Sequence, residues 1–252
     1  MNFVDSHCHL NDERFKDNVD EVVASSFKAG VTTILVVGYD LESSLKAIEI
    51  ASRHEGVYAA IGFHPTDLDS FDFTFLEEHI NDDKVVALGE IGLDYHYDND
   101  IDTKKRQIDA FKKQIELALK HNKPVIIHSR DSIMDTYNVV SSYSNLRGSL
   151  HCYSGSLEMA KLFVEKGFLL GVGGVVTFKN AKIVKDVVKN IDLKYLLLET
   201  DSPYLAPEPH RGEVNTSTYI PIIAEMVASI KEIDISDVAT TTTGNAYRLF
   251  DF

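Results

Sequence analysis

Hydrophobic and polar positions alternate along this chain in two textures. Short apolar runs rich in Val, Ile and Leu are followed by longer stretches in which apolar residues recur at helical spacing. The short runs are Phe3–Val4, Thr32–Val37, Val57–Ile61, Val85–Leu88, Val125–Ile127, Gly148–Leu150, Phe168–Gly171 and Tyr195–Leu198, eight in all. Each predicts a buried strand. Amphipathic segments lie between them: Val19–Ala29, Leu41–Arg53, Phe73–Ile80, Thr103–His121, Ser132–Tyr143, Leu157–Lys166 and Ala181–Asn190. Two further helical regions follow, Tyr219–Ile230 and Ile235–Phe250, the second with Ser236 as N-cap. The clearest helix is Thr103–His121. Ile108, Phe111, Ile115 and Leu119 share one face, and Pro124 blocks continuation.

Eight strand–helix alternations in 252 residues predict an α/β fold, a single-domain TIM (β/α)8 barrel over residues 1–252. The other candidate is an open doubly wound sheet. No strand is followed by a G-x-G-x-x-G dinucleotide fingerprint, and Gly171-Val-Gly-Gly174 lacks its spacing.

Composition adds little to the fold and more to the function. Apolar residues make up 44% and charged residues 25%, as in soluble globular proteins. The net charge of −14 argues against coating nucleic acid or lying on a membrane, because both need excess Lys and Arg. Two cysteines, Cys8 and Cys152, are too few for a disulfide scaffold. Met1–Phe15 lacks the apolar core of a signal peptide, and no run suits a membrane span. The expectation is a cytoplasmic protein with reduced thiols, without an apolar surface stripe and therefore a monomer.

A barrel enzyme keeps its chemistry at the C-terminal ends of its strands. The polar residues there are His7, His9, His64, Glu90, His128, His151 and Asp201, which take five of the ten histidines. His7 and His9 are two apart and share a strand face, so both rings can enter the mouth. Asp5 shares that face and is in reach to orient a ligand ring. Cys8 and Cys152 are out of phase with the histidines and are expected to pack between strands and helices. His54, His79 and His121 sit near helix C-termini, where the helix dipole explains them without a function.

Imidazole and carboxylate donors suit Zn²⁺, Mn²⁺ or iron, and an open carboxylate-rich site also admits Mg²⁺. So many donors exceed the needs of one catalytic ion. Two ions sharing a carboxylate would use them all.

Six segments together resemble the TatD family of metal-dependent hydrolases, within the amidohydrolase-like superfamily. They are Asp5-Ser-His-Cys-His9-Leu10, Gly62-Phe-His64-Pro65, Gly89-Glu90-Ile-Gly-Leu-Asp94-Tyr95, Ile127-His128-Ser-Arg130-Asp131, His151-Cys-Tyr-Ser-Gly155 and Glu199-Thr-Asp201-Ser-Pro203-Tyr-Leu205. The resemblance implies that His7, His9, Glu90 and Asp201 hold one divalent ion, Mg²⁺, Mn²⁺ or Zn²⁺. It implies that Glu90, His128 and His151 hold a second, with Glu90 bridging. It also implies a metal-dependent deoxyribonuclease, often a 3′→5′ exonuclease. One segment departs from the family pattern. Pro209-His210-Arg211-Gly212 is followed by Glu213 where the family often has a basic residue, and by Thr216-Ser217 where it often has Glu-Pro.

The expected reaction is phosphodiester hydrolysis by water acidified at the two ions, with Asp201 as general base and Glu90 as shared ligand. His64 is expected to contact a phosphate oxygen, or else to be a hydrogen-bonded residue before Pro65. Arg130 is expected to clamp a phosphate, or else to pair with Asp131 or Asp94. His96 and Arg211, in the loops after the fourth and eighth strands, are candidates for a terminal phosphate. The expected partner is a strand end or short fragment of nucleic acid, with no membrane. Two other readings stand beside this one. The first is an amidohydrolase or lactonase acting on small molecules. The relatives with a carboxylated bridging Lys do not fit, since no Lys occupies a strand end. The second is a metal-binding protein without catalysis.

Overall fold

The computed structural model of the protein describes residues 1–252. Its eight strands are β1 (Phe3–Cys8), β2 (Val31–Val37), β3 (Val57–Ile61), β4 (Val85–Asp94), β5 (Val125–Arg130), β6 (Gly148–Leu150), β7 (Leu169–Val172) and β8 (Leu196–Leu198). They form one sheet in sequence order, each parallel to the next. No regular ladder joins β8 to β1. The seam is held instead by Ser6 Oγ donating to Leu198 O at 2.9 Å, and by two backbone bonds just beyond β8. In those bonds Asp201 N donates to His7 O at 2.9 Å and His9 N to Ser202 O at 2.7 Å.

Eight helices return the chain between strands and after the last: α1 (Val19–Lys28), α2 (Leu41–Arg53), α3 (Phe73–His79), α4 (Ile101–Lys120), α5 (Ile133–Ser141), α6 (Leu157–Glu165), α7 (Lys182–Asn190) and α8 (Ile220–Lys231). The expected (β/α)8 barrel is therefore the observed fold. The alternating period of β2 sorts its side chains into two cores. Ile34 and Val36 join the large core between strands and helices. Leu35 and Val37 join a smaller one with Val4, Ala60, Ile126 and Leu197.

The ninth helix, α9 (Ile235–Phe250), adds Ala246, Leu249 and Phe250 to that smaller core. Asn245 Nδ2 donates to Leu193 O at 2.9 Å and Leu196 O at 2.8 Å, at the start of β8. Thus α9 closes the N-terminal end of the barrel, and the C-terminal end is left for chemistry. The N-cap position of α9 is Asp234, not the expected Ser236, which lies inside the helix. No helix is long and apolar enough to cross a membrane.

Three strands run further than their apolar runs predicted. β1 continues through His7, β4 through Glu90 and Asp94, and β5 through His128. Polar side chains replace apolar ones at the mouth, so the apolar signal stops before the backbone does. Register irregularities fall at the same places, between Asp5 and Cys8 in β1 and between Leu88 and Ile91 in β4. Such irregularities re-aim side chains, here around His7 and Glu90.

Candidate metal centre

Six strand-end residues converge at the barrel mouth. His7 Nε2 and His9 Nε2 lie 3.2 Å apart. Asp201 Oδ1 is 3.8 Å from the first and 3.4 Å from the second. Glu90 Oε2 is 3.7 Å from His7 Nε2 and 3.8 Å from His9 Nε2. Four donors around a tetrahedral ion at 2.0–2.2 Å would be separated by about 3.3–3.6 Å. The separations among His7, His9 and Asp201 bracket that range, and these three lie close enough to share one ion; Glu90 Oε2 faces both imidazoles. These residues fit a divalent cation.

The other oxygen of Glu90 serves a second cluster. Glu90 Oε1 is 2.8 Å from His128 Nδ1 and 2.8 Å from His151 Nε2. Those two nitrogens are 3.3 Å apart. One carboxylate thus faces two donor sets, one with each oxygen. His64 Nε2 lies 3.7 Å from the same Oε1, and its ring packs edge-on against His128 at 4.3 Å. Its Nδ1 bonds Thr66 Oγ1 at 2.7 Å. So His64 is fixed by its own turn and also aims into the centre.

Two of the rings are held from behind, His9 and His128, whereas His7 Nδ1 and His151 Nδ1 are buried without a hydrogen-bond partner. His9 Nδ1 meets Val37 O at 2.9 Å. His128 Nε2 meets Asp94 Oδ2 at 3.0 Å, a carboxylate–imidazole pair that fixes the tautomer offering Nδ1 to the centre. Asp5 does not hold a ring. Its Oδ1 accepts from the amides of His7 at 3.3 Å and Thr200 at 3.0 Å, and its Oδ2 from Thr200 Oγ1 at 2.6 Å. It therefore ties β1 to the segment after β8 and sets backbone position.

The electrostatics fit a centre built around cations. Burial alone would raise Glu90, but His151 and His128 outweigh it and hold the carboxyl well below the usual carboxylate range. Burial opposes charge on His151, yet Glu90 and Asp201 push that imidazole up to about 10. His9 and His128 are raised in the same way, against burial, by Asp201 and by Asp94 with Glu90 respectively. His7 goes the other way, well below its usual range, through burial and the neighbouring His151.

Two inward residues escaped the sequence reading. Glu199, 2% exposed, accepts from the amide of Cys152, and burial pushes it up to about 8. A side chain at Gly171 would overlap its carboxylate. Its position two before Asp201 was the available signal, since alternate residues share a face. Asp94, considered in the sequence only as a partner for Arg130, instead positions His128. The expectation for the thiols holds for Cys8, which is buried among strands and helices. It fails for Cys152. β6 ends at Leu150, so Cys152 lies in a turn, half-buried, where strand phase has no meaning.

The remaining candidates stand further out. Arg130 pairs with neither Asp131 nor Asp94. Its guanidinium lies 5.2 Å above the Tyr97 ring and donates to Tyr97 Oη at 3.2 Å. His96 Nδ1 is 2.9 Å from Asp131 Oδ2. Arg211 lies 4.4 Å above the Phe178 ring. Glu213, at the family's basic position, is 3.0 Å from His210 Nδ1 and accepts from Tyr219 Oη at 3.2 Å. His54, His79 and His121 lie at the C-terminal ends of α2, α3 and α4 as expected, paired with Asp20, Asp82 and Asn81.

Known proteins share both sequence and architecture. Residues 4–251 match the family described as TatD related DNase. The metal-dependent hydrolase YabD of Bacillus subtilis is 41% identical over 249 residues, covering 98% of each chain. The metal-dependent hydrolase YcfH of Escherichia coli K12 is 37% identical over 99% of this chain and 96% of its own. The crystal structure of the TatD homolog YjjV of Escherichia coli superposes with a TM-score of 0.92 at 30% identity, covering 99% of this chain and 98% of that one. With six donors converging where such barrels carry their chemistry, the chain belongs to the TatD family of metal-dependent hydrolases.

Proposed function

We propose that the protein is a deoxyribonuclease that removes nucleotides from a strand end, 3′→5′, with two divalent ions at the mouth. One observation carries the two-ion centre, that Glu90 turns Oε1 and Oε2 to two separate donor sets, and the match to the family described as TatD related DNase supports a nucleic-acid substrate. His7, His9, Glu90 and Asp201 would hold one ion; Glu90, His128 and His151 would hold the other. Mg²⁺, Mn²⁺ and Zn²⁺ all suit these donors. Ions held there supply the Lewis acidity that makes water nucleophilic near neutral pH and offsets charge on phosphoryl oxygens.

The chain's own residues do the rest. Asp201 lies at the rim, its side chain 13% exposed, with Oδ1 3.4 Å from His9 Nε2. It accepts the proton of the attacking water as general base. The water oxygen bonds to phosphorus, the bond from phosphorus to the 3′ oxygen breaks, and that oxygen takes a proton from solvent water while Asp201 later returns its own to solvent. His64, aimed into the centre with Nδ1 tied to Thr66, offers Nε2 to a phosphate oxygen. The donor set and its family favour catalysis over passive metal storage.

The test is Asp201→Asn on single-stranded DNA labelled at its end. Loss of a general base lowers turnover by about 100-fold or more, while strand binding persists. Near-normal turnover would remove Asp201 from the mechanism.

A further inference from the structure

The barrel mouth carries two exposed tyrosines, and each bears a cation on its ring. Tyr204 follows β8 and is 44% exposed. The Arg14 guanidinium lies 4.7 Å above its ring, and its Oη donates to Asp12 Oδ2 at 3.2 Å. Its ring centroid is 6.3 Å from that of His9. Tyr97 follows β4 and is 75% exposed. Arg130 lies above its ring, and His96 packs edge-on against it at 5.0 Å. The His96 amide donates to Asp94 Oδ1 at 2.9 Å, and Asp94 holds His128. Each tyrosine is thus joined through short contacts to a different half of the centre. The third such pair, Lys104 on Tyr95, offers no open ring because Tyr95 is buried.

Position in the barrel makes the arrangement informative. The strand order runs from β1 to β8 around the ring, so the β8–β1 seam and the β4–β5 neighbours lie half a turn apart. The tyrosines stand on opposite rims with the metal donors between them. Eight tilted strands at ~4.8 Å spacing give a ring about 15 Å across.

A cation on one face of each ring helps to hold it in place and leaves the other face for a ligand, and every base has a face that stacks on such a ring. Stacking also answers the charge problem. A chain at −14 cannot grip a strand through many phosphates, whereas base–aromatic contact needs no net charge. We propose that Tyr97 and Tyr204 are base-stacking platforms flanking the centre. The substrate is then a single strand whose unpaired bases rest on both rims while the phosphate between them lies over the donors. A paired duplex keeps its bases stacked on each other and cannot use the platforms. This rests on the nuclease reading above for the identity of the substrate.

The test is binding, kept apart from turnover. A short single-stranded DNA carrying 2-aminopurine near its 3′ end is titrated with Asp201→Asn protein, and quenching of the base reports stacking. Tyr97→Ala and Tyr204→Ala are each expected to weaken binding about fivefold or more and to reduce quenching. Tyr97→Phe and Tyr204→Phe keep the ring and should bind within twofold of the parent. The same strand annealed to its complement should bind more weakly. Ala variants that bind and quench like the parent would overturn the proposal, as would equal affinity for duplex. If the strand binds and stacks but the unsubstituted enzyme never cleaves it with any divalent metal, the nuclease reading fails and the platforms stand.

Discussion

Replacing Asp94 by Asn tests how the centre is held together, and the structure sets its size. Asp94 is buried; its Oδ2 accepts from His128 Nε2 at 3.0 Å and its Oδ1 from the His96 amide at 2.9 Å. Burial works against its charge, but those two bonds and the imidazole outweigh it and hold the carboxyl below its usual range. It is therefore ionised at neutral pH. Asn has one acceptor and one donor group in the same space. If its oxygen keeps the His96 amide, its NH₂ meets His128 Nε2 and drives the proton to Nδ1, the atom facing Glu90 at 2.8 Å. If its oxygen turns to His128 instead, the NH₂ faces the His96 amide and a buried donor is left unpaired. Either orientation also loses the charge behind the ring. Substitutions of this kind cost 10–100-fold in metal affinity, about 1.4–2.7 kcal/mol. The assay is competition against a chromophoric chelator, with circular dichroism to verify the fold. Binding should become biphasic, because His7, His9 and Asp201 do not touch Asp94. One ion should weaken by that factor while the other is held as before. Affinity within twofold of the unsubstituted protein for both ions would refute the reasoning.

Further expectations follow from the same geometry. Glu90→Ala removes the carboxylate common to both clusters, so elemental analysis should find both ions depleted, whereas His128→Ala should deplete one; two retained ions in both variants would contradict a shared centre. Metal binding at pH 7 should release protons, because His151 is raised to about 10 and must give up its proton to ligate. Apparent affinity should then rise with pH up to that value, and calorimetry in two buffers of different ionisation enthalpy measures the release; none at pH 7 would refute it. Phe163→Ala should cost about 3–5 kcal/mol in denaturant unfolding, since its ring is fully buried against Tyr137 at 5.3 Å and Phe168 at 6.1 Å. Strand binding should depend weakly on salt, with a log–log slope of about −1.4 to −2.1 for two or three phosphates; a slope several times steeper would contradict a grip that relies on stacking.

Much of this was legible in the sequence because two signals have fixed physical periods. The apolar runs of β2 and β3 appear at nearly their full length, since nothing chemical interrupts them. β1, β4 and β5 were read short, because His7, Glu90, Asp94 and His128 occupy positions that carry apolar residues in an ordinary strand. The shortfall itself marked the site. Pairwise partners were harder. That Asp5 would reach the backbone amide of Thr200, 195 positions away, depends on how the barrel closes, and spacing along one strand carries no such information. Arg130 was weighed against two carboxylates, but both already serve histidines: Asp94 bonds His128 and Asp131 bonds His96. Only the assembled mouth shows that Tyr97 is what remains for it.

One panel tests the two-ion nuclease most directly. Metal-stripped protein is resupplied separately with Mg²⁺, Mn²⁺ and Zn²⁺ and given end-labelled single-stranded DNA, RNA, and a set of lactones, esters and cyclic amides. Divalent metal should restore stepwise release of nucleotides from the DNA 3′ end, and Glu90→Ala should abolish it. Metal-restored hydrolysis of the small molecules with the DNA left intact would contradict the nuclease reading.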